Sequence, residues 1–180
     1  MRYFCLSLFC LFALLQSQSA NAHTHHVERA STYVAIRESN GANRSPVIDG
    51  WNRSVGVPYG SPYCAAFVSA VLTEVRCTAI TTRSARARAF INERRGVVIA
   101  VTAHTKAQPG DVVVFRRNGG GHIGIVERIA EDGRIQCVEA NTSSGRNGSQ
   151  WNGDGVWRRK RTLYEPWSAF RITHIVRART

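Results

Sequence analysis

Residues 56–72 read GVPYGSPYCAAFVSAVL and join a turn-rich loop to an apolar run with helical spacing. Glycine and proline alternate up to Pro62, which favours a loop, whereas the residues from Cys64 onward predict a helix that faces a core. Ser61 is the expected N-cap, and Pro62 suits the first helical turn. Cys64 therefore lies at the change from loop to helix, where unpaired backbone N–H groups favour the thiolate form of a cysteine.

Cys64 has two interpretations on this pattern. Most isolated cysteines are small buried apolar residues. The loop-to-helix position and the neighbouring Tyr59 and Tyr63 favour a nucleophile instead. A nucleophilic cysteine needs a base, which the rest of the chain has to supply.

The N-terminal residues have the pattern of an export signal. Arg2 supplies a positive start, residues 4–15 form an apolar core, and residues 20–22 read ANA, which matches the small-residue cleavage pattern. The apolar run is shorter than the roughly 20 residues that a membrane-spanning helix needs. We therefore expect a secreted or periplasmic protein. The expected parts are a signal peptide at 1–22, an N-terminal extension with a helix at 23–44, and one domain at 45–180.

The sequence is strongly basic, with a formal charge of +12 that comes almost entirely from arginine. Arginine binds phosphate and carboxylate groups well. An exported basic protein is expected to meet an acidic polymer, such as cell wall, lipopolysaccharide, phospholipid or nucleic acid. The alternative is a basic surface that only maintains solubility.

Three cysteines follow the expected signal peptide: Cys64, Cys77 and Cys137. An odd number in an exported chain leaves either three free thiols or one disulfide and one free thiol. A Cys77–Cys137 disulfide that leaves Cys64 free is one hypothesis, although spacing alone does not define the pairing. Residues 23–26, HTHH, could chelate a metal ion but are more typical of a disordered tail, and no metal or organic cofactor is expected.

The spacing of apolar residues changes from helical in the first half to extended in the second. We predict an α+β fold, in which helices of the first half pack on a small antiparallel β-sheet. The predicted helices are Val27–Arg37, Ser45 to Trp51, Cys64 to about Arg76, and Thr82–Arg95. Strands begin at Val97 and include 112–115, 121–126, 134–140 and 170–176, whereas residues 155–161 are predicted to form a strand and a basic turn. Five arginines along the fourth helix form either a solvated face or a polyanion-binding face.

A β-hairpin in the second half brings a histidine close to polar residues. Its turn at Asp132-Gly133 implies that paired residue numbers sum to about 263–265, so His122 should lie near Asn141 on the partner strand. Glu139 and Asn141 project from the same face, and either could receive the second imidazole N–H. His104 and His174 are alternative bases, but neither has such a neighbour in the predicted strands.

Four motifs in this order resemble the CHAP family of cysteine- and histidine-dependent amidohydrolases and peptidases. They are YCAAFV at 63–68, PGDVVVF at 109–115, GHIGIV at 121–126 and EAN at 139–141. The resemblance implies a papain-like fold and peptidoglycan as the substrate. It also implies that Cys64 is the nucleophile, His122 the base, and Glu139 and Asn141 the orienting residues. The family often has Trp where this sequence has Tyr63.

From these patterns we expect a monomeric hydrolase that cleaves an amide bond in peptidoglycan through a thioester at Cys64. We expect no membrane-spanning segment, and we do not expect nucleic acid to be a partner. Two alternatives stay open. The same residues could cleave another peptide or isopeptide bond, or transfer an acyl group. A catalytically silent basic module that binds cell wall or nucleic acid would depend on its arginines and not on Cys64.

Overall fold

The computed structural model describes residues 25–117, 120–145 and 152–179. These residues form helices in the first half and strands in the second, as the sequence predicts. The elements are α1 at 25–32, α2 at Pro46–Ser54, α3 at Cys64–Glu74, a 3-10 helix at Ala87–Asn92, β1 at Val97–Ala100, β2 at Val112–Arg117, β3 at Gly120–Ile129, β4 at Ile135–Thr142, β5 at Gly155–Arg161 and β6 at Arg171–Arg177.

The six strands form one antiparallel sheet in the order β1-β6-β2-β3-β4-β5. Helix α3 packs against the central strands β3 and β4, and the 3-10 helix contacts β2, β3 and β6. The α+β prediction is therefore confirmed. The β3–β4 pairing is also confirmed, since Gly124 lies opposite Glu139 and Ile129 lies opposite Ile135.

Neighbouring residues of β1, β2, β3, β4 and β6 enter two separate hydrophobic cores, one on each face of the sheet. The helix-side core joins α2 and α3 to one face of the sheet and contains Phe67 and Ile125. The second core lies on the other face and contains Phe115 and Ile175. Because α3 is buried along residues 64–72, it is the central helix of the helix-side core.

The disulfide hypothesis is wrong, because the structure has free thiols at Cys64, Cys77 and Cys137. Cys77 packs against the helix-side core, whereas Cys137 is buried in the second core. The sheet therefore separates the two side chains, and a bridge between them would require the fold to change.

Local hydrogen bonds explain where α2 and α3 begin. The Ser45 side chain accepts a hydrogen bond from the backbone N–H of Ile48, and Pro46 occupies the first turn of α2. The cap expected at Ser61 is wrong for α3, whose N-cap is Tyr63 without a side-chain cap. The helix consequently starts on Cys64 itself.

Two predicted helices differ from the structure. The first ends at residue 32 and not at Arg37, because the following segment pairs with β5. Between Thr82 and Arg95 only the short 3-10 helix forms. The buried Glu93 carboxylate accepts backbone N–H groups from both sides of that helix, including Thr82 and Arg95, and such contacts compete with a regular helix.

The segment that follows α1 extends the edge of the sheet. Arg37 forms an antiparallel bridge with Gly155, and the N–H of Glu38 donates to the Asp154 carbonyl over 2.8 Å. A Cβ atom at Gly155 would lie 2.5 Å from the carbonyl oxygen of Ile36, so this close pairing requires glycine. The N-terminal segment is thus tied to β5.

Helix α1 is also anchored to the core. His26 is fully buried, and its Nε2 lies 2.7 Å from the Gly110 carbonyl oxygen. The disordered tail expected for residues 23–26 therefore does not include His26, while residues 23 and 24 lie outside the described part of the chain. Among the described residues, no helix has both the length and the apolar character to cross a membrane.

Candidate active site

Cys64 lies at the N-terminus of α3 with only 7% of its surface exposed. The preceding loop is held by two side-chain amides, since Asn43 donates to the Gly60 carbonyl and Asn52 donates to the Ser61 carbonyl, both over 3.1 Å. The first-turn N–H groups of a helix have no partner within the helix and give its N-terminus a partial positive charge. This charge lies next to the Cys64 sulfur.

The β3–β4 hairpin supplies His122 and Glu139. The Nε2 atom of His122 lies 2.9 Å from Oε2 of Glu139, and both side chains are buried. Glu139 lies opposite Gly124, so its carboxylate reaches diagonally across the pair to His122. Gly124 is required for this path, because a Cβ atom there would lie 2.6 Å from Cγ of Glu139.

His122 joins the helix to the hairpin. Besides its contact with Glu139, its ring is hydrogen bonded to the side chain of Cys64. Since Nε2 faces Glu139, the nitrogen available for the sulfur is Nδ1. Cys64, His122 and Glu139 therefore form a continuous chain of buried hydrogen bonds.

The electrostatics of the site favour a charged imidazole. Burial lowers the pKa of His122, but hydrogen bonds to Cys64 and Glu139 and the attraction of both groups outweigh burial, and the pKa rises to about 9. Burial likewise raises the pKa of Glu139, but the charge and hydrogen bonds of Arg161, together with His122, lower it to about 2. An imidazolium beside a carboxylate is thus the stable state of the pair near neutral pH.

Among the described residues, no hydrogen bond joins the Asn141 side chain to His122. Asn141 occupies a bulge between β4 and β5 with φ of 56°, and its Oδ1 atom is buried without a hydrogen-bond partner among the described residues. Its backbone N–H is hydrogen bonded to the hydroxyl of Tyr63, which donates to Glu38 over 3.1 Å. Of the two predicted orienting residues, Glu139 therefore reaches the imidazole.

The alternative histidines lie elsewhere. His104 is exposed in the turn after β1, and His174 on β6 lies 3.1 Å from its neighbour Thr173. Among the described residues, no three His, Cys, Asp or Glu side chains are grouped so that they could hold a metal ion.

Sequence reasoning missed the contact of Arg161 with this site. Arg161 pairs with Ile135 in the strand register, four residues from Glu139, a separation of about 13 Å along a strand. Nevertheless its guanidinium reaches Glu139 and forms an ion pair with it. Strand pairing alone gave no signal for a contact that spans this distance.

Residues 53–141 match the family model of the CHAP domain. The chain contains a CHAP domain. The match includes Cys64, His122, Glu139 and Asn141 and ends before β5. No curated protein matches the sequence. CHAP domains are generally cysteine- and histidine-dependent amidohydrolases, and the family implies peptidoglycan as the substrate.

Replacing Gly124 with Ala tests the diagonal contact in this CHAP domain. The new Cβ atom would push Glu139 away from His122, so the pKa of His122 should fall from about 9 towards the usual value near 6.5. NMR titration of the imidazole measures this shift. Gly50→Ala is the matched control, since a Cβ atom there meets nothing within 4 Å. A folded Gly124→Ala protein with an unchanged His122 pKa would contradict the proposed geometry.

Proposed function

We propose that the protein is an exported cysteine hydrolase that cleaves an amide bond in peptidoglycan, as an amidase or endopeptidase. The observation that carries this proposal is the buried chain of hydrogen bonds from Cys64 through His122 to Glu139. A cysteine at a helix N-terminus with an oriented histidine is the arrangement that nucleophilic catalysis requires. A papain-like organisation of the domain is part of the same proposal.

In the first half of the reaction, the Cys64 sulfur attacks the carbonyl carbon of the substrate amide as a thiolate. The charge that develops on the carbonyl oxygen is stabilised by backbone N–H groups, and the N–H of Cys64 is one donor in a suitable position. His122 then gives its proton to the leaving nitrogen as the C–N bond breaks. The products of this half are a free amine and a thioester at Cys64.

Water completes the cycle. Neutral His122 takes a proton from a water molecule, which attacks the thioester and releases the carboxylic acid product. The sulfur leaves as a thiolate, and His122 is an imidazolium again. Glu139 keeps the ring in position and stabilises its positive charge in each half-reaction.

The basic surface supports peptidoglycan as the partner. Four exposed arginines surround the 3-10 helix: Arg86, Arg88, Arg94 and Arg95. The Arg88 stem lies beside Gly121, which precedes His122. Arg83, in contrast, donates to the carbonyls of Cys77 and Ile80 and is half-buried. Arg88 therefore brings positive charge close to His122, where carboxylates of a cell-wall polymer would bind.

A catalytically silent basic module is the second candidate, and the same exposed arginines favour it. It differs from the hydrolase in one respect that can be measured. A silent module binds peptidoglycan without releasing fragments, whereas the hydrolase does both.

Export is part of the proposal and rests on the pattern of residues 1–22. The protein recovered outside the cytoplasm should begin at or close to His23, which N-terminal sequencing determines. A soluble protein that still begins at Met1 in the cells that produce it would contradict export.

Substitutions at the hydrogen-bonded chain test the enzymatic proposal. Cys64→Ala and His122→Ala should reduce the release of dye from labelled peptidoglycan by up to about 10⁶-fold, because they remove the nucleophile and the base. Glu139→Gln should retain measurable activity, since it keeps the hydrogen bond and loses only the charge. All three variants should still bind peptidoglycan in a pull-down, because the exposed arginines are unchanged.

The pH dependence of Glu139→Gln adds a second readout. The charge of Glu139 raises the pKa of His122, so its removal should lower that pKa and move the alkaline loss of activity from about pH 9 to lower pH. A Cys64→Ala protein that releases dye as fast as the parent would contradict the hydrolase. Binding by every protein without release from any type of peptidoglycan would favour the silent module.

A further inference from the structure

We propose that Arg161 is a positioning residue of this site, which holds the Glu139 carboxylate and, through it, the His122 ring in the reactive arrangement. This inference rests on the proposed hydrolase function for its catalytic consequence. The contacts themselves are independent of the substrate.

Arg161 holds Glu139 by both carboxylate oxygens. Its Nε atom lies 2.8 Å from Oε1, and its Nη2 atom lies 2.5 Å from Oε2. The Arg161 side chain is 12% exposed and that of Glu139 is fully buried. Such a two-point contact fixes the plane of the carboxylate as well as its distance. Oε2 is also the oxygen that accepts the hydrogen bond from His122.

A stacked pair of aromatic rings also contacts the guanidinium of Arg161. Phe115 and Phe170 stack with ring centroids 4.9 Å apart, and the guanidinium of Arg161 lies 5.4 Å and 5.0 Å from these rings. The same two rings lie 5.4 Å and 5.8 Å from the His122 ring. Because one aromatic pair contacts both cations that bind Glu139, all of these groups are packed as a unit.

The charge of Arg161 allows Glu139 to be ionised while it is buried. Burial raises the pKa of Glu139, and Arg161 is the strongest of the groups that reverse this effect and lower the pKa to about 2. Without Arg161 the carboxyl should therefore take up a proton at higher pH. A protonated Glu139 would no longer stabilise an imidazolium at His122.

Arg161 also belongs to a part of the chain that the family match does not include. The match ends at residue 141, whereas Arg161 is the last residue of β5. The strand that carries Arg161 is tied to the N-terminal segment by the bridge between Arg37 and Gly155. Glu139, which lies within the matched region, is therefore paired with a cation from a strand that lies outside it.

A double-mutant cycle with Glu139 tests the role of Arg161. Arg161→Met should lower kcat by about 10–100-fold, comparable to the loss of an outer partner of a metal-bound imidazole. The acid side of the pH–activity profile should move to higher pH, because the pKa of Glu139 rises. In a Glu139→Gln background, Arg161→Met should cost little more, since the carboxylate through which Arg161 acts is absent.

Two further variants separate positioning from general stability. Arg161→Lys keeps the charge but loses the two-point contact, so it should keep the acid side of the profile near that of the parent while kcat falls. Arg158→Met is the matched control, because Arg158 is on the same strand and forms its ion pair with Glu127. It should leave kcat and the pH profile unchanged. Thermal unfolding of each variant measures the folded fraction.

The rate of Cys64 alkylation by iodoacetamide, followed by peptide mapping against pH, gives a readout that needs no substrate. Arg161→Met should shift the acid side of this profile as it shifts activity. If the parent releases nothing from peptidoglycan but Arg161→Met shifts the alkylation profile, the proposed function fails and the positioning role stands. Unchanged profiles in Arg161→Met, or an equal loss with and without Glu139, would overturn the inference.

Discussion

The site depends on the ion pairs that the buried carboxylate of Glu139 forms with its two cationic neighbours. Taking an ion out of water costs several kcal/mol, on the order of the whole stability of a domain. Glu139 is compensated on one side by His122 and on the other by Arg161. Because both cations bind the same carboxylate, neither can move without leaving a buried charge only partly paired.

This constraint explains why the site draws on elements that are distant in sequence. The carboxylate comes from β4 and its cations from β3 and β5, while the thiol comes from the start of α3. The neighbour of the thiol, Tyr63, is also fixed through its hydroxyl, which contacts Glu38 and the Asn141 backbone. Helix, sheet and N-terminal segment are therefore held in one arrangement around the sulfur.

Much of this arrangement can be predicted from the sequence because local chemistry determines it. The turn at Asp132-Gly133 sets the register of the hairpin, and the register places His122 within reach of Glu139. The apolar run after Cys64 likewise predicts a buried helix. The choice between Glu139 and Asn141 could not be made, because it depends on a bulge at Asn141 that no pattern in the sequence indicates.

Two of the failures share a physical cause, since each involves a side chain that acts over a long range. The helix predicted at 82–95 is replaced where Glu93 binds backbone N–H groups, and Arg161 reaches Glu139 across about 13 Å of strand. The disulfide hypothesis failed because an odd number of cysteines does not indicate on which face of the sheet each cysteine lies.

Trapping the proposed thioester intermediate tests directly whether Cys64 is the nucleophile. The protein would be mixed with soluble peptidoglycan fragments, quenched with acid during turnover, digested and examined by mass spectrometry. If Cys64 is the nucleophile, a fragment should be attached through a thioester to the peptide that contains Cys64, and the adduct should be absent from Cys64→Ala. An adduct on Cys77 or Cys137 instead, or turnover by the Cys64→Ala protein, would contradict the claim.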